Sequence, residues 1–247
     1  MKELTAIFDL FKYSHLGEWP SLGKYLFFKT FHHDARIDLK LRGHRWTAMT
    51  SKPSGLYFFN EVVIHESYSP IRNDLQTLKE PLIIDCGANC GAFALWALSV
   101  NPQAQVISFE PGEAFENLAI NRRLYSETHG DHWQVEKCAL SSKNGSGHFT
   151  QEQHSSMGHL MESGPDLIPM RTIDDLGLSP QILKIDVEGH ELEVLKGSKK
   201  ALTTAQVVIL ECHGQELQEQ CTAFLSTRHF AVKEECFMLI GRRVPSA

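Results

Sequence analysis

The chain has 247 residues, of which 42% are hydrophobic and 22% charged, and its formal net charge is -6. This length and composition fit one large α/β domain with an ordinary buried core, alone or with a small appendage. The negative charge argues against a nucleic-acid binder, which needs a basic face, and no apolar run approaches the ~20 residues that span a bilayer.

The N-terminus is a poor signal peptide, because Asp9 and Glu18 lie within it and it lacks a long apolar core. The six cysteines stand singly, without a CxxC pair, mostly in or beside apolar runs. Reduced cysteine packs in such places like a small hydrophobic residue. We therefore expect a cytoplasmic protein with free thiols and no disulfide framework.

Residues 1–60 lack the rhythm of a parallel sheet and are interpreted as an N-terminal extension, a cap with substrate or dimer contacts. The aromatic residues from Phe8 to Phe31 predict loose helices. Ile37, Leu39 and Leu41 alternate with polar residues and predict a half-buried strand, from which "RGH" turns into a second strand. The run "YFFNEVVIHESYSP" predicts a further strand, and the main domain is expected to span 61–247.

From residue 81 short apolar strands alternate with amphipathic helices, which predicts an α/β fold with a parallel sheet and helices on both faces. Residues 141–170 are rich in Ser, Gly, His and Met and predict a long functional loop. The last two strands predict a hairpin. In chain order the predicted strands are "PLIIDC", "AQVISFE", "WQVEKCAL", "ILKIDVE", "QVVILEC", "FAVKEE" and "CFMLIGRR".

The turn after the first of these strands, in "LIIDCGANCGAF", carries Asp85, Gly87 and Gly91. Open parallel sheets bind ligands beyond the carboxyl ends of their strands, and glycine lets a ligand approach the main chain. The helix that begins near Gly91 adds unpaired N–H groups. A plain tight turn with glycine for packing explains the same residues equally well.

The end of the second strand favours a ligand. Glu110 closes "VISFE", where a carboxylate can accept both hydroxyls of a ribose; its alternative role is a charge at the start of the next helix. A GxGxxG motif would need Gly at position 89, which is Asn, and a P-loop would need GKS or GKT. The pattern favours a nucleoside without phosphates, which suggests S-adenosylmethionine, over a dinucleotide.

A series of motifs in chain order resembles those of the FkbM-family methyltransferases, over roughly residues 60–215. "KIDVEGHE" is the most specific of them, and Ile173 stands where the family usually has Leu. The resemblance implies a Rossmann-like methyltransferase fold, with a mostly parallel seven-stranded sheet, and S-adenosyl-L-methionine as cofactor. The motifs are "IIDCGANCGAFALW", "VISFEPGEAFENLAIN", "KCALSS", "RTIDDLGL", "ILKIDVEGHELEVLKGS" and "VVILECHG".

The resemblance also implies roles for single residues. Glu110 takes the ribose, Pro111 shapes the adenine side and Ala139 flanks the adenine. Residues 155–158 of the long loop close over the cofactor, and Tyr68 covers the site unless it is a core or surface tyrosine. The implied cofactor-binding set is Asp85, Gly87, Ala88, Asn89, Gly91, Glu110, Pro111, Ala139 and Asp186.

Lys184 and Asp186 share one face of the fourth strand, and Glu188 follows at its tip. A buried lysine needs a partner, and Asp186 is the obvious one. Methyl transfer needs an acceptor aligned with the methyl carbon, and a hydroxyl acceptor gains from a base. We predict Glu188 or Asp186 as base or acceptor-orienting carboxylate; alternatively, Glu188 caps the next helix and Asp186 only neutralises Lys184.

Glu211 and His213 lie on one face at the end of the fifth strand and, with Asp186, could ligate a hard or borderline cation. No spacing demands a metal, so none is predicted. Glu211 and His213 remain further candidate bases, as does His190, which is expected to begin the next helix at the surface.

The leading hypothesis is an S-adenosylmethionine-dependent O-methyltransferase that acts on a hydroxyl of a sugar, glycan or small secondary metabolite. Whether the acceptor atom is O or N stays open. The alternatives are an NAD-dependent oxidoreductase or epimerase and a non-catalytic nucleotide-binding module. We expect a small-molecule or glycan partner, no nucleic acid and no membrane span, and leave a homodimer open.

Overall fold

The computed structural model of the chain describes residues 9–13, 15–31, 35–41, 43–49, 54–151, 158–161 and 166–245. Within them the strands form a two-stranded hairpin, a seven-stranded central sheet and a four-stranded sheet. The strands are β1 (Arg36–Leu41), β2 (His44–Met49), β3 (Leu82–Cys86), β4 (Gln105–Phe109), β5 (Trp133–Glu136), β6 (Ala139–Leu140), β7 (Gly145–Gln151), β8 (Gly158–Met161), β9 (Asp166–Arg171), β10 (Ile182–Ile185), β11 (Val207–Leu210), β12 (Phe230–Glu235) and β13 (Met238–Arg243).

The helices flank the central sheet or belong to the N-terminal extension. A π-helical turn, Asn60–Ile64, directly continues the second of them. None in the described ranges combines the length and apolar character needed to cross a membrane. The helices are α1 (Trp19–Thr30), α2 (Ser54–Phe59), α3 (Arg72–Thr77), α4 (Ala92–Val100), α5 (Phe115–His129), α6 (Glu191–Lys196) and α7 (Gln215–Ser226).

The central sheet has the strand order β12-β13-β11-β10-β3-β4-β5. Strands β11, β10, β3, β4 and β5 are mutually parallel, whereas β13 runs antiparallel to both β11 and β12. All residues of β10 and β11 are buried, because helices cover both faces of a parallel sheet. The predicted Rossmann-like sheet of seven strands, with its C-terminal hairpin, is confirmed.

Two hydrophobic cores lie on the two faces of this sheet. One contains Leu183 of β10 and Val194 of α6. The other contains Trp96 of α4 and extends to Trp46 of β2 and Tyr25 of α1. The N-terminal extension therefore shares a core with the sheet, and the division at residue 60 stays a prediction about roles, since α2 and its π turn run across it.

The first segments fold partly as predicted. The "RGH" turn, with Gly43 at a φ of 83°, joins β1 and β2 into the expected antiparallel hairpin. The predicted strand in "YFFNEVVIHESYSP" is wrong, because this run is helical through α2 and the π turn. Its apolar residues repeat as Phe58, Phe59, Val62 and Val63, which is a helical period and not an alternation.

The predicted loop over 141–170 is also wrong, because most of its described residues form strands β7, β8 and β9. Paired with β6, these strands make the four-stranded sheet. Among the described side chains its core consists of Ala139, Phe149, Ile168 and Met170, and polar or glycine positions between them hide the alternation. Residues 155–157 of the predicted cofactor-closing segment lie outside the described residues.

Two predicted strands are shorter than their sequence runs. "WQVEKCAL" divides into β5 of the central sheet and β6 of the four-stranded sheet. The strand predicted in "ILKIDVE" ends at Ile185. Asp186 and Glu188 consequently lie in the turn before α6, where strand alternation does not fix their side chains.

Candidate active site

A cleft opens at the carboxyl ends of β3, β4 and β10, where parallel sheets of this kind bind ligands. Its walls come from these strand ends, from the four-stranded sheet and from residues 58–68 of the N-terminal segment. The predicted site residues Asp85 and Gly91 do not line it. Those that do are Gly87, Ala88, Asn89, Glu110, Pro111, Ala139, Asp186 and Glu188.

Asp85 is fully buried beneath the cleft. One carboxylate oxygen accepts the Ser108 hydroxyl at 3.0 Å, and the other lies 3.2 Å from the Lys184 ammonium. Lys184 is 3.5 Å from Asp186 and donates to the Gly87 carbonyl at 2.8 Å. Lys184 therefore has two carboxylate partners: Asp186, which the sequence predicted, and Asp85, which is closer. Asp85 serves the site by fixing Lys184 under the glycine turn.

The charge of Lys184 is retained in this buried setting. Burial lowers the pKa of Lys184, but the Asp85 and Asp186 carboxylates outweigh burial and raise the pKa well above its usual value. The ammonium consequently ties the end of β3 to the end of β10. This ion pair holds together the two strand tips that form the floor of the cleft.

The two glycines of the first turn serve packing. Gly87 has a φ of +73°, and an added Cβ would lie 1.7 Å from the Asp186 carbonyl oxygen. Gly91 begins α4 at a φ of +90°, and its Cβ would meet the ring of Trp133 at 2.5 Å. The bare backbone thus lets this turn lie against the β10 tip and the β5 tryptophan.

Glu110 stands in the cleft as the second-strand acid, 8% exposed. Its carboxylate accepts the Asn89 N–H at 2.9 Å and the Gly112 N–H at 2.7 Å. Burial raises the pKa of Glu110, and these two N–H groups partly oppose that shift. Each oxygen accepts one N–H and keeps a free lone pair, as recognition of a diol requires.

Asn89 provides an independent test of whether the cleft fits a polar ligand. Its Oδ1 is buried and has no hydrogen-bond partner in the described part of the structure, although the residue lines the cleft. A buried carbonyl oxygen without a partner costs about 1–3 kcal/mol, so it is suited to receive a donor from a ligand such as an ammonium group. The residues present fit the nucleoside amino acid that the sequence predicts.

The far wall of the cleft is apolar. Cys138, Ala139 and Leu140 line it beside Pro111 and the ring of Phe149. Such a slot suits a flat aromatic base. Tyr68 also lines the cleft, but it is 6% exposed and packs edge-on against Phe93 at 4.7 Å, so it is both a core and a site residue.

The opposite end of the cleft holds the predicted catalytic carboxylates. Asp186 follows β10, and Glu188 lies in the next turn with a φ of +52°. This backbone conformation is unfavourable for any residue other than Gly. The Glu188 carboxylate contacts the His213 ring Nε2 at 3.0 Å. Burial raises the pKa of Glu188, and the facing His213 opposes this shift.

Glu191 is a site residue that the sequence reasoning missed. It is fully buried, accepts the Gly189 N–H at 3.0 Å and contacts His213 Nδ1 at 3.1 Å. The role of holding the turn before α6, considered for Glu188, therefore belongs to Glu191. The sequence carries little signal for it, because Glu191 begins a helix, "ELEVLK", that contains a second acid and a lysine as well.

His190 begins α6 as predicted, but it lines the cleft and is half-buried. Its Nε2 lies 2.9 Å from the Ser141 hydroxyl. Burial lowers the pKa of His190, which favours the neutral ring.

Glu211 completes the lining at this end of the cleft, and His213 lies beside it in contact with Glu188 and Glu191. Burial, followed by the nearby Asp186, raises the pKa of Glu211 to about 7. The hydrogen bond to Glu191 and the charge of Glu188 raise the pKa of His213 to about 9, so the ring is protonated at neutral pH.

The same residues could hold a divalent cation. Asp186, Glu211 and His213 each offer a ligand atom, and these atoms lie within 4.8 Å of one another. However, both nitrogens of His213 already face carboxylates, those of Glu188 and Glu191. A cation would have to displace the Glu188 contact.

The class of the protein follows from the fold and the site together. The sheet is Rossmann-like, the acid after β4 is held by two N–H groups, and further acids follow β10. This combination defines a methyltransferase. The family model described as "Methyltransferase FkbM domain" matches residues 85–236. The chain therefore belongs to the FkbM methyltransferase family, as its motifs predicted.

Two curated relatives and one solved structure illustrate the similarity. The hexuronic acid methyltransferase AglP of Haloferax volcanii is 31% identical over 67% of this chain and 72% of its own length. The 2-O-methyltransferase NoeI of Sinorhizobium fredii is 30% identical over 57% of this chain and 66% of its own. The crystal structure of a methyltransferase FkbM from Methylobacillus flagellatus KT has a TM-score of 0.53 and 19% identity, covering 75% of this chain and 53% of that one.

Proposed function

We propose that the protein transfers the methyl group of S-adenosyl-L-methionine to a hydroxyl of a sugar, glycan or small metabolite. The observation that carries this proposal is the Glu110 carboxylate, held by the Asn89 and Gly112 N–H groups at the end of β4. The end of β3 separates it from Asp186 and Glu188, which follow β10. The hexuronic acid in the name of one relative supports a sugar acceptor, and the name 2-O-methyltransferase of the other supports oxygen as the acceptor atom.

The donor would supply an electrophilic methyl group on a sulfonium. In this proposal Glu110 receives the ribose hydroxyls, the wall at Ala139 and Pro111 receives the adenine, and the Asn89 turn receives the amino-acid end. Asp85 and Gly91 support that turn from below. Because one end of the cleft binds the donor, the acceptor binds at the other, beside Asp186, Glu188 and Glu211.

Glu188 is proposed as the base that takes the hydroxyl proton, with Asp186 orienting the acceptor. Burial raises the pKa of Glu188, which brings it closer to the operating pH, where a general base works best. Glu211 is the second candidate, because its pKa of about 7 is well matched to the same task. We propose that no metal takes part, since carboxylates engage both ring nitrogens of His213.

Isothermal titration with S-adenosylhomocysteine and with NAD tests the cofactor. We expect micromolar binding of the first and no heat with the second. NAD binding would favour an oxidoreductase, and no heat with either compound would favour a non-catalytic module.

The free thiols of all six cysteines, which lie within the described residues, support the further proposal of a cytoplasmic location.

Variants test the division of labour, with transfer of labelled methyl groups to a fractionated extract as the second measurement. Glu110→Gln should weaken S-adenosylhomocysteine binding about tenfold or more, the value of one or two hydrogen bonds. Glu188→Gln should leave that binding intact and lower turnover about 100-fold, as loss of a general base does. Equal loss of cofactor binding in both variants, or a rate abolished by EDTA, would contradict these roles.

A further inference from the structure

The turn between β12 and β13 is a strained part of the cleft wall that the proposed reaction does not use. Glu235 pairs with Met238, so Cys236 and Phe237 form a two-residue turn. Their φ values are +51° and +60°, the pattern of a type I′ turn, which prefers Asn-Gly. A bulky residue such as Phe237 is a genuine outlier at positive φ.

This turn lies next to the acceptor end of the cleft. Strand β13 runs antiparallel to β11, and Leu239 pairs with Leu210, the last residue of β11. Phe237 therefore lies beyond the carboxyl end of β11, where Glu211 also lies. Phe237 and Glu211 both line the cleft. The aromatic ring is consequently part of the wall that an acceptor meets beside the carboxylates.

The side chain of Phe237 gains little from packing. It is 66% exposed, whereas the next residue, Met238, is 2% exposed and belongs to a hydrophobic core. Single exposed aromatic residues are common on protein surfaces and need no explanation. An exposed aromatic residue on a strained backbone does need one, because it stabilises neither the core nor the turn.

Positive φ recurs along this cleft. Three of the described residues other than glycine that have a positive φ line it, and these are Asn89, Glu188 and Phe237. Such strain concentrates at functional sites, where the surrounding structure holds a side chain in an unfavourable place. The proposed function assigns Asn89 to the donor and Glu188 to the proton transfer, which leaves Phe237 for the acceptor.

We propose that Phe237 binds the acceptor through contact of its ring with the apolar C–H face of a pyranose. This inference rests on the proposed function and narrows its acceptor to a cyclic sugar. The axial C–H groups of a β-glucopyranoside form a flat apolar face, which suits the negative face of an aromatic ring. The hydroxyls lie at the edge of the sugar ring, where they remain free to meet the carboxylates.

Calorimetry on the protein saturated with S-adenosylhomocysteine tests the proposal without turnover. The probes are methyl β-glucopyranoside and glucitol, an acyclic polyol that lacks the flat face. We expect the glycoside to bind about tenfold more tightly than glucitol, and Phe237→Tyr, which keeps the ring, to retain this affinity.

Phe237→Gly separates binding from folding. This variant should bind the glycoside about five- to tenfold more weakly, because the ring is lost. It should also melt about 2–4 °C higher, because glycine relieves the positive φ. The matched control is His229→Gly, since His229 is exposed, has a φ of +64° and lies outside the cleft. The control relieves the same strain and should keep the glycoside affinity.

The role of Phe237 would be overturned by glucitol that binds as tightly as the glycoside, or by no glycoside binding at its solubility limit. An unchanged glycoside affinity in Phe237→Gly, a lower melting temperature of that variant, or a loss of affinity in Phe237→Tyr or His229→Gly would overturn it as well. The titration with S-adenosylhomocysteine separates this failure from failure of the proposed function. If that compound binds, only the acceptor contact is wrong; if it does not, the methyl-transfer proposal itself fails.

Discussion

At the scale of single residues, the site depends on which acids are paired with which bases. His213 bridges two carboxylates, Glu188 on the cleft side and Glu191 in the interior. The buried Glu191 contacts Nδ1 of His213 and thereby directs Nε2, the other ring nitrogen, at Glu188. His213 thereby holds Glu188 in its strained turn at a φ of +52°, which in the proposed reaction makes it a positioning residue.

This arrangement predicts a stability that depends on pH. The pKa of His213 is raised from 6.5 to about 9, so its ion pairs stabilise the folded protein fully below pH 6.5 and are lost as pH rises through about 9. After allowance for solvent screening we expect about 1–2 kcal/mol. Urea denaturation of the protein and of His213→Gln should show a difference in unfolding free energy that shrinks across this window. A difference that is constant with pH would contradict the ion pairs.

At the scale of elements, two turns make the floor of the cleft by touching each other. The β3–α4 turn carries Gly87, and the β10–α6 turn begins at Asp186, whose N–H donates to the Cys86 carbonyl at 3.1 Å. Lys184 adds its bond to the Gly87 carbonyl. The two turns are thus coupled through main chain, and a side chain at position 87 would force them apart.

We therefore expect Gly87→Ala to be severe. Its Cβ would overlap the Asp186 carbonyl oxygen and also face a φ of +73°, which together should cost about 2–4 kcal/mol. The matched control is Gly177→Ala, with a φ of +66° and no atom within 4 Å of the added Cβ, which should cost about 1 kcal/mol. Thermal denaturation and S-adenosylhomocysteine titration measure both effects. Equal losses in the two variants would show that contact with β10 is unimportant.

The sequence predicts the elements unevenly, for physical reasons. Strands buried on both faces, such as β10 and β11, are short apolar runs between helices and are readily recognised. The strands β7–β9 were missed because few apolar residues pack this sheet among the described side chains, and Ser and Gly occupy positions between them. The run at α2 misled because continuous apolar residues fit either a strand or a helix.

At the scale of the whole molecule, the candidate site combines residues that the sequence predicts with others that only the fold brings together. The motif acids at the strand tips, Glu110 and Asp186, were identified from their place after apolar runs. The pairing of His213 with Glu191, 22 positions apart, depends on how β11 lies beside α6, which no local pattern specifies. The places of Phe58 and Tyr68 in the cleft wall likewise depend on how the N-terminal residues pack against the central sheet.

The N-terminal extension is also joined to the β3–α4 turn through one buried amide, which gives a last prediction. Asn121 of α5 accepts the Thr47 N–H of β2 at 2.8 Å and donates to the Cys90 carbonyl at 2.9 Å. Asn121→Ala leaves both groups unpaired and should cost about 2–4 kcal/mol in urea denaturation while weakening S-adenosylhomocysteine binding. Asn117→Ala on the same helix removes a buried amide whose oxygen has no hydrogen-bond partner among the described residues, and should cost less. Asn121 joins β2 to the β3–α4 turn, and Asn117 does not. Similar losses of unfolding free energy in the two variants would therefore mean that the β1–β2 hairpin does not support that turn.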